Sequence, residues 1–329
     1  MENIESYKKI INNYKNKNIL VIGDSILDMY LQSDVNRISP EAPVPVALVK
    51  DKKYVLGGAA NTANNLATLG INTTLVSVIG KGEEHKSYLD LLQSKNISSN
   101  GVFFDNSRMM TVKKRVVSGN QQLIRIDQED LHDISIDIEN KIIDFLYDQK
   151  IKADAIVLSD YAKGCLTSSL IKRIFIYSKE LNIPVFVDPK PNKNKDISLY
   201  KDAWLIKPNR KEAEVILNKK LSFKKEDLKN IFRELKSIFS KNIVVTVGKD
   251  GMYIWSHKEN GFYHLETTKQ DFFDVCGAGD TTMAVLVASI CGGASLIDAA
   301  IMANHAAGVV IKKKGTSICT VDDLLNSFL

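Results

Sequence analysis

Residues 274–281 read DVCGAGDT, and a nearly all-apolar run, TTMAVLVASI, begins at Thr281. Gly277, Ala278 and Gly279 carry almost no side chain, so their backbone N–H groups can close on a ligand. The apolar run predicts a buried helix, and a helix N-terminus attracts anions through its amides and its dipole. Asp280 falls in that first turn. Beside a bound phosphate its charge is repelled unless it has a task there. One task is to accept the proton of a hydroxyl attacking phosphorus. The other reading is plain helix capping, which suits an acid in a first turn. Asp274 either orients the loop through backbone hydrogen bonds or caps it.

Two other glycine chemistries fail. A dinucleotide fingerprint needs G-x-G-x-x-G early in a βαβ unit. Here the third position is Thr282, and the stretch lies in the last fifth of the chain. A Walker A loop needs Lys-Ser/Thr after its glycines, and none follows.

The elements that must position this stretch have a regular rhythm. Spacing predicts a leading helix over 4–14 and a buried strand over 19–22, ended by Gly23. Segment 31–56, punctuated by Pro40, Pro43 and Pro45, predicts edge or excursion strands. A glycine turn at 57–58 feeds a helix ending at Gly70, then a strand over 73–80 and a helix over 86–95. Segment 101–126 alternates and predicts a hairpin around Ser118-Gly119-Asn120. From 136 onward strands (155–159, 184–188, 203–209, 242–248) alternate with helices (136–149, 168–181, one from Arg210, 225–239). Two short strands, 251–256 and 261–266, precede helices at about 279–292, 295–311 and 321–328. Such alternation predicts a mostly parallel sheet covered on both faces. The economical picture is one domain over 1–329, with a small lid sheet from about 31–56 and 101–126. Trp204 and Trp255 read as core, and His305 as structural or partly exposed.

The bulk numbers narrow the partners. Forty-four basic against 39 acidic residues give a net charge of +5, and 44% of residues are hydrophobic. The excess charge is mild and dispersed, so neither nucleic acid nor membrane is implied. Cys165, Cys276, Cys291 and Cys319 form no CxxC pair, which points to a reducing cytoplasm. The lysine-rich N-terminus lacks an apolar core of the secretory kind. No run of about 18 apolar residues is present.

Over essentially its whole length the chain resembles the ribokinase-like (PfkB) carbohydrate kinases. GGAANTANNLATLGINTTLVSVIG (57–80) has the family's N-terminal pattern, with Asn61, Gly70 and Gly80 at its intervals. DVCGAGDT has the C-terminal one. The resemblance implies an α/β fold, a ribokinase-like three-layer sandwich with a mostly parallel central sheet and a small β-sheet lid. It implies ATP and Mg²⁺ as cofactors, Asp280 as catalytic base, and Gly277-Ala278-Gly279 as the anion hole for the γ-phosphate. KPNRKE (207–212) supplies the family's N-x-x-E element as Asn209 and Glu212, spanning Arg210 and Lys211. That element is associated with ATP phosphates and magnesium, Glu212 acting directly or through water. Cys276 stands where these kinases usually have threonine. A monovalent cation such as K⁺ would need only its backbone carbonyl.

RISPEAPVPV (37–46), NQQLIRID (120–127), LSDYAKG (158–164) and VDPK (187–190) narrow the resemblance. They are similar to the members of the family that phosphorylate the anomeric hydroxyl of D-glycero-β-D-manno-heptose 7-phosphate. Those belong to ADP-heptose and lipopolysaccharide core synthesis. In their bifunctional form a nucleotidyltransferase domain follows the kinase. The end at Leu329 leads us to expect a kinase-only form with a separate nucleotidyltransferase downstream. The family also leads us to expect a homodimer through the lid.

On this resemblance Asp28 binds sugar hydroxyls, or else caps a turn. Asn61, beside Gly57 and Gly58, binds the sugar or caps a helix. Candidate cations for the 7-phosphate are Lys163, Lys190, Arg115 and Arg125, each of which alone reads as a solvated charge. Asp160 would touch the sugar and Asp188 would steady the Lys190 loop. TVGKDG (246–251) would meet the nucleotide through Thr246, Gly248 and Gly251. Asn304 resembles the family asparagine near the adenine, or is a polar residue on a packed helix. Rival acceptors are a fructose phosphate, a ribose or a nucleoside. A rival class is a non-catalytic sugar or nucleotide sensor.

Overall fold

The structure, a computed structural model, describes residues 4–119, 121–148, 152–192, 195–223, 225–239, 241–267, 276–313, 315 and 317–329. Asp274, and Asn120 of the expected hairpin tip, lie outside the described residues.

Helix α1 (Ile4–Asn12) and a single 3₁₀ turn lead into β1 (Asn18–Gly23). There follow β2 (Ser25–Ile38), β3 (Pro45–Gly58), α2 (Ala59–Thr68), β4 (Asn72–Lys81), α3 (His85–Ser94) and β5 (Ser98–Met109). Next come β6 (Val112–Ser118), β7 (Gln121–Gln128), α4 (Ile136–Asp148), β8 (Ala155–Ser159), α5 (Ser168–Glu180) and β9 (Val185–Asp188). The chain continues through β10 (Leu205–Ile206), α6 (Arg210–Ile216), α7 (Lys225–Ile238), β11 (Asn242–Thr246), β12 (Met252–Ser256) and β13 (Gly261–Leu265). It closes with α8 (Ala278–Cys291), α9 (Leu296–Val310) and α10 (Val321–Asn326).

Among the described residues the large sheet has nine strands in the order β13-β12-β11-β10-β9-β8-β1-β4-β5. All neighbours from β11 to β5 run parallel, and β12 and β13 add antiparallel at one edge. The central strands are apolar throughout because both faces are covered. In β1, Ile19 and Val21 face the layer that holds α2, α8 and α9, while Leu20 and Ile22 face α4, α5 and α7. Helix α8 is hydrophobic on every side because it packs between the sheet, α2 and α9.

The second sheet has the order β3-β2-β6-β7. β2 pairs antiparallel with β3 and parallel with β6, and β7 returns antiparallel along β6. Its boundaries differ from those expected. β2 begins at Ser25, with one residue between it and the end of β1, and β3 runs through Gly57 to Gly58. Segment 98–109 is not lid at all: β5 pairs with β4 as the outer strand of the large sheet. An outer strand has one face half in solvent, so it alternates in the same way as a lid strand. The expected strand over 203–209 shrinks to Leu205–Ile206, with an isolated bridge from Asn209 to Thr246. Trp204 and Trp255 are half-buried rather than deep core: Trp204 leans on Phe186, and the Lys236 ammonium lies over Trp255. No helix among the described residues is long and apolar enough to cross a membrane.

Candidate active site

The side chains of interest gather where β1, β8, β9, β10 and β11 end, beneath the small sheet. Carboxyl ends of parallel strands are where ligands collect in open α/β sheets. Gly277, in the left-handed region at φ 80°, turns the chain into α8. A Cβ added at Gly279 would meet only the Lys207 Nζ, at 3.8 Å, within 4 Å. Packing against protein therefore does not demand this glycine. Its bare Cα leaves a hollow between the N-terminus of α8 and an ammonium group. Lys207 follows β10 directly, is 2% exposed, and sits 3.0 Å from the Asp188 carboxylate. A helix N-terminus, small side chains and a buried ammonium together fit an oxyanion such as a phosphoryl group.

Asp280 is 5% exposed at the edge of this hollow. Its Oδ2 accepts from Asn61 Nδ2 at 2.6 Å, and its Oδ1 accepts from the Tyr161 hydroxyl at 2.6 Å and from Thr62 Oγ1 at 3.4 Å. Burial pushes the carboxyl above the usual range; the bonds from Tyr161 and Asn61 and the charge of Lys207 pull it back, and Asp28 adds to the rise. Helices α2 and α8 are also tied by Thr281 Oγ1 donating to Asn65 Oδ1 at 2.9 Å. The Asn61 amide thus serves Asp280 rather than standing open to a sugar.

Above this, β2 supplies Asp28, whose Oδ1 is 2.6 Å from Arg115 Nη1. Gly57 makes room for that carboxylate: a Cβ there would come within 3.0 Å of Asp28 Oδ2. Gly58 has φ 59°, and its Cβ would strike the Asp24 carbonyl oxygen at 2.4 Å. Arg125 forms a two-pronged pair with Asp127, and Lys113 and Lys163 share Glu129. Arg115, Arg125 and Lys163 therefore stand together under or along the small sheet, each with an acidic partner.

Lys190 is elsewhere. Its Nζ reaches Glu212 Oε1 at 3.2 Å, at the foot of α6. Asn209 and Glu212 form a capping box: Asn209 Oδ1 accepts from the Glu212 N–H at 3.0 Å, and Glu212 Oε2 accepts from the Asn209 N–H at 2.8 Å. Arg210 braces the following loop by donating to the Leu221 carbonyl, and Lys211 is exposed on α6. Thr246 ends β11 beside Asn209. Gly248 and Gly251 both have positive φ, and a Cβ at Gly248 would find nothing within 4 Å, so that turn is open to a ligand. Asn304 Nδ2 donates to the Glu266 carbonyl at 2.8 Å, linking α9 to the end of β13. His305 bonds to the Ser327 carbonyl and packs on Phe328.

Two expectations are corrected. Asp160 does not face a sugar. Its Oδ2 is taken by Lys195 Nζ at 2.7 Å and by the Tyr200 hydroxyl at 2.8 Å, and its Oδ1 by the Ala162 N–H. Asp188 steadies Lys207, not the Lys190 loop.

The family model for pfkB family carbohydrate kinases matches residues 16–323. The chain belongs to the pfkB carbohydrate kinase family. The bifunctional protein HldE of Geobacter metallireducens is 39% identical to this pfkB kinase over 310 residues, covering 94% of this chain and 62% of that one. HldE of Helicobacter pylori is 37% identical over 309 residues, covering 94% and 65%. The chain thus spans less than two thirds of the length of these relatives. Solved structures confirm a ribokinase-like fold. Phosphofructokinase-2 from Escherichia coli, in complex with potassium, superposes with a TM-score of 0.77 at 18% identity, covering 95% of this chain and 97% of that one. Arabidopsis thaliana ribokinase, complexed with ribose and ATP, gives 0.74 at 18% identity, covering 94% and 98%.

For a pfkB kinase, sequence reasoning missed Lys207, Tyr161 and Asp24. Lys207 had a signal: a lysine at the end of an apolar strand, where ligands collect. Tyr161 and Asp24 had none, because their partners are 119 to 141 residues away.

Proposed function

We propose that this pfkB kinase transfers the γ-phosphoryl group of Mg-ATP to the anomeric hydroxyl of D-glycero-β-D-manno-heptose 7-phosphate. The product is the 1,7-bisphosphate, on the way to ADP-heptose and lipopolysaccharide core. The observation that carries the chemistry is Asp280: a carboxylate fixed at both oxygens, beside a hollow lined by Gly279, Lys207 and the N-terminus of α8. The hydroxyl proton passes to Asp280, and the hydroxyl oxygen bonds to the γ-phosphorus. The bond to the bridging oxygen breaks and ADP leaves. Amides of 277–279 and Lys207 meet the charge on the transferring group.

Magnesium, when bound, offsets phosphate charge, and Glu212 suits contact through water because its oxygens already hold Lys190 and the Asn209 N–H. Thr246, Gly248 and Gly251 would line the nucleotide path, with Asn304 setting its far wall. Support for a phosphorylated sugar is the row Asp28, Lys113, Arg115, Arg125 and Lys163 along the small sheet, where carboxylates suit hydroxyls and cations suit a second phosphate. Lys190 is not part of that row and would serve the nucleotide phosphates.

The small sheet acts as a lid that excludes water. It also joins two copies: Ile38, Leu48, Ile124 and Ile126 leave apolar surface exposed on it. The kinase fold works as one domain in the cytoplasm. A monovalent cation such as K⁺ would raise turnover if the carbonyl of Cys276 contributes to its site.

The test is a coupled ATPase assay with a substrate panel. Turnover should be fastest with heptose 7-phosphate; faster turnover with a fructose phosphate, ribose or a nucleoside would overturn the acceptor. Asp280→Asn should lower kcat by roughly 10²- to 10⁴-fold while ATP binding by calorimetry persists. A variant as active as the parent would sink the base assignment.

A further inference from the structure

The loop after β8 is held more firmly than a loop needs to be. Ala162 has φ 55° and Gly164 φ 86°, both left-handed, and the first is strained for a residue with a Cβ. Strain of this kind persists only where the surroundings fix it. Here the fixing group is Asp24, 2% exposed. Its Oδ2 accepts from the backbone N–H of Tyr161 at 2.8 Å and of Lys163 at 3.2 Å, and its Oδ1 from that of Cys165 at 2.9 Å. From the other side Asp160 Oδ1 accepts from the Ala162 N–H at 2.9 Å. What this clamped loop delivers is one hydroxyl, that of Tyr161, to Oδ1 of Asp280.

We propose that Tyr161 is a positioning residue for Asp280, its hydroxyl holding the carboxylate ionised and aimed, with Asp24 acting through the loop to place it. This rests on Asp280 being the base. Each carboxylate oxygen offers two lone-pair directions. Tyr161 fills one on Oδ1 and Asn61 one on Oδ2, which fixes the plane of the group. The phenol keeps the proton it donates to Asp280: burial and the nearby Asp280, Asp188 and Glu212 carboxylates hold it well above its ordinary value. The charged and polar groups facing Asp280 are Asn61 and Thr62 from α2, Tyr161 from the loop, Asp188 from β9, Lys207 after β10 and Asp28 from β2, with Glu212 from α6 acting on Asp188 and Tyr161. Of these, Tyr161 and Asn61 hydrogen-bond Asp280 most closely, and only Tyr161 comes from a strained loop.

The sign follows. A hydrogen bond to the ionised form lowers a carboxyl pKa, so its removal raises it. In Tyr161→Phe the Asp280 carboxyl should titrate about one unit higher than in the parent. The measurement is ¹³C NMR of the free full-length chain, with Asp280→Asn identifying the signal. The acid limb of kcat/KM for Mg-ATP with heptose 7-phosphate should move up by the same amount. Turnover should drop roughly ten- to a hundredfold, with KM for ATP little changed. A folded Tyr161→Phe whose carboxyl and acid limb stay at parental values overturns the proposal. If Tyr161→Phe fails to melt cooperatively, Asp24→Asn decides, since it loosens the clamp but keeps the phenol. The Asp280 carboxyl should again rise, and an unmoved carboxyl overturns the proposal. The base reading fails separately, through an active Asp280→Asn, and the carboxyl titration in the free chain stands or falls without it.

Discussion

Asp188 and Lys207 share their charges where water hardly reaches: their side chains are 16% and 2% exposed. Burial pushes the Asp188 carboxyl up to about 7 despite the Lys207 ammonium, with Glu212 and Asp280 adding to the rise. A carboxyl raised on folding binds its proton more tightly in the folded chain. Its contribution to stability is therefore full below about pH 4, the unfolded carboxylate range, and is lost as pH rises through about 7. Asp188→Asn should flatten that part of the stability profile, measured by urea unfolding at stepped pH. A slope equal to the parent's would mean that Asp188 titrates normally. Lys207→Met removes the ammonium facing the hollow at Gly279 and should lower kcat by about 10²-fold, more than it alters acceptor KM. Steady-state kinetics at saturating ATP would show it. Asp280, Gly277 and Gly279 could be singled out in the sequence because they share one short local pattern, and Asp28 through the family resemblance. Tyr161 and Asp24 were not legible, because their roles exist only once distant strands end side by side; Lys207 offered only its place at the end of an apolar strand.

At the scale of elements, the β3–α2 junction is a tightly constrained joint. Gly58→Ala would place a methyl against the Asp24 carbonyl at a left-handed φ, a double penalty of about 1–3 kcal/mol or more. Thermal unfolding should show a clear drop in Tm; an unchanged Tm would contradict the geometry of this joint. The alternation of parallel strands and helices could be read from apolar runs, since each central strand is covered on both faces. The lid could be read only in part. Pro40, Pro43 and Pro45 marked its first excursion correctly as non-central. The half-exposed face of β5 gave it the same pattern as β6 and β7, so residues 101–109 looked like lid. What separates them is pairing with β4, which no local periodicity encodes.

For the molecule as a whole, the exposed Ile124 and Ile126 on β7, at 54% and 49%, set the test of self-association. Replacing both with Lys should convert a dimer to monomer in sedimentation velocity without lowering Tm. A parent chain that is already monomeric at micromolar concentration would remove the lid interface from consideration.

Asp24 alone separates β1 from β2. Its carbonyl accepts from the Ala59 N–H at 3.0 Å, just where β3 of the small sheet gives way to α2. β2 and β3, two of the four strands of the small sheet, therefore leave and return at one residue. That residue's carboxylate grips the loop bearing Tyr161. Asp24 thus links the two: on the lid role proposed for the small sheet, a movement of β2 and β3 about this residue would load the loop behind Asp280. Closure over a sugar and the set of the base would then be one mechanical event instead of two.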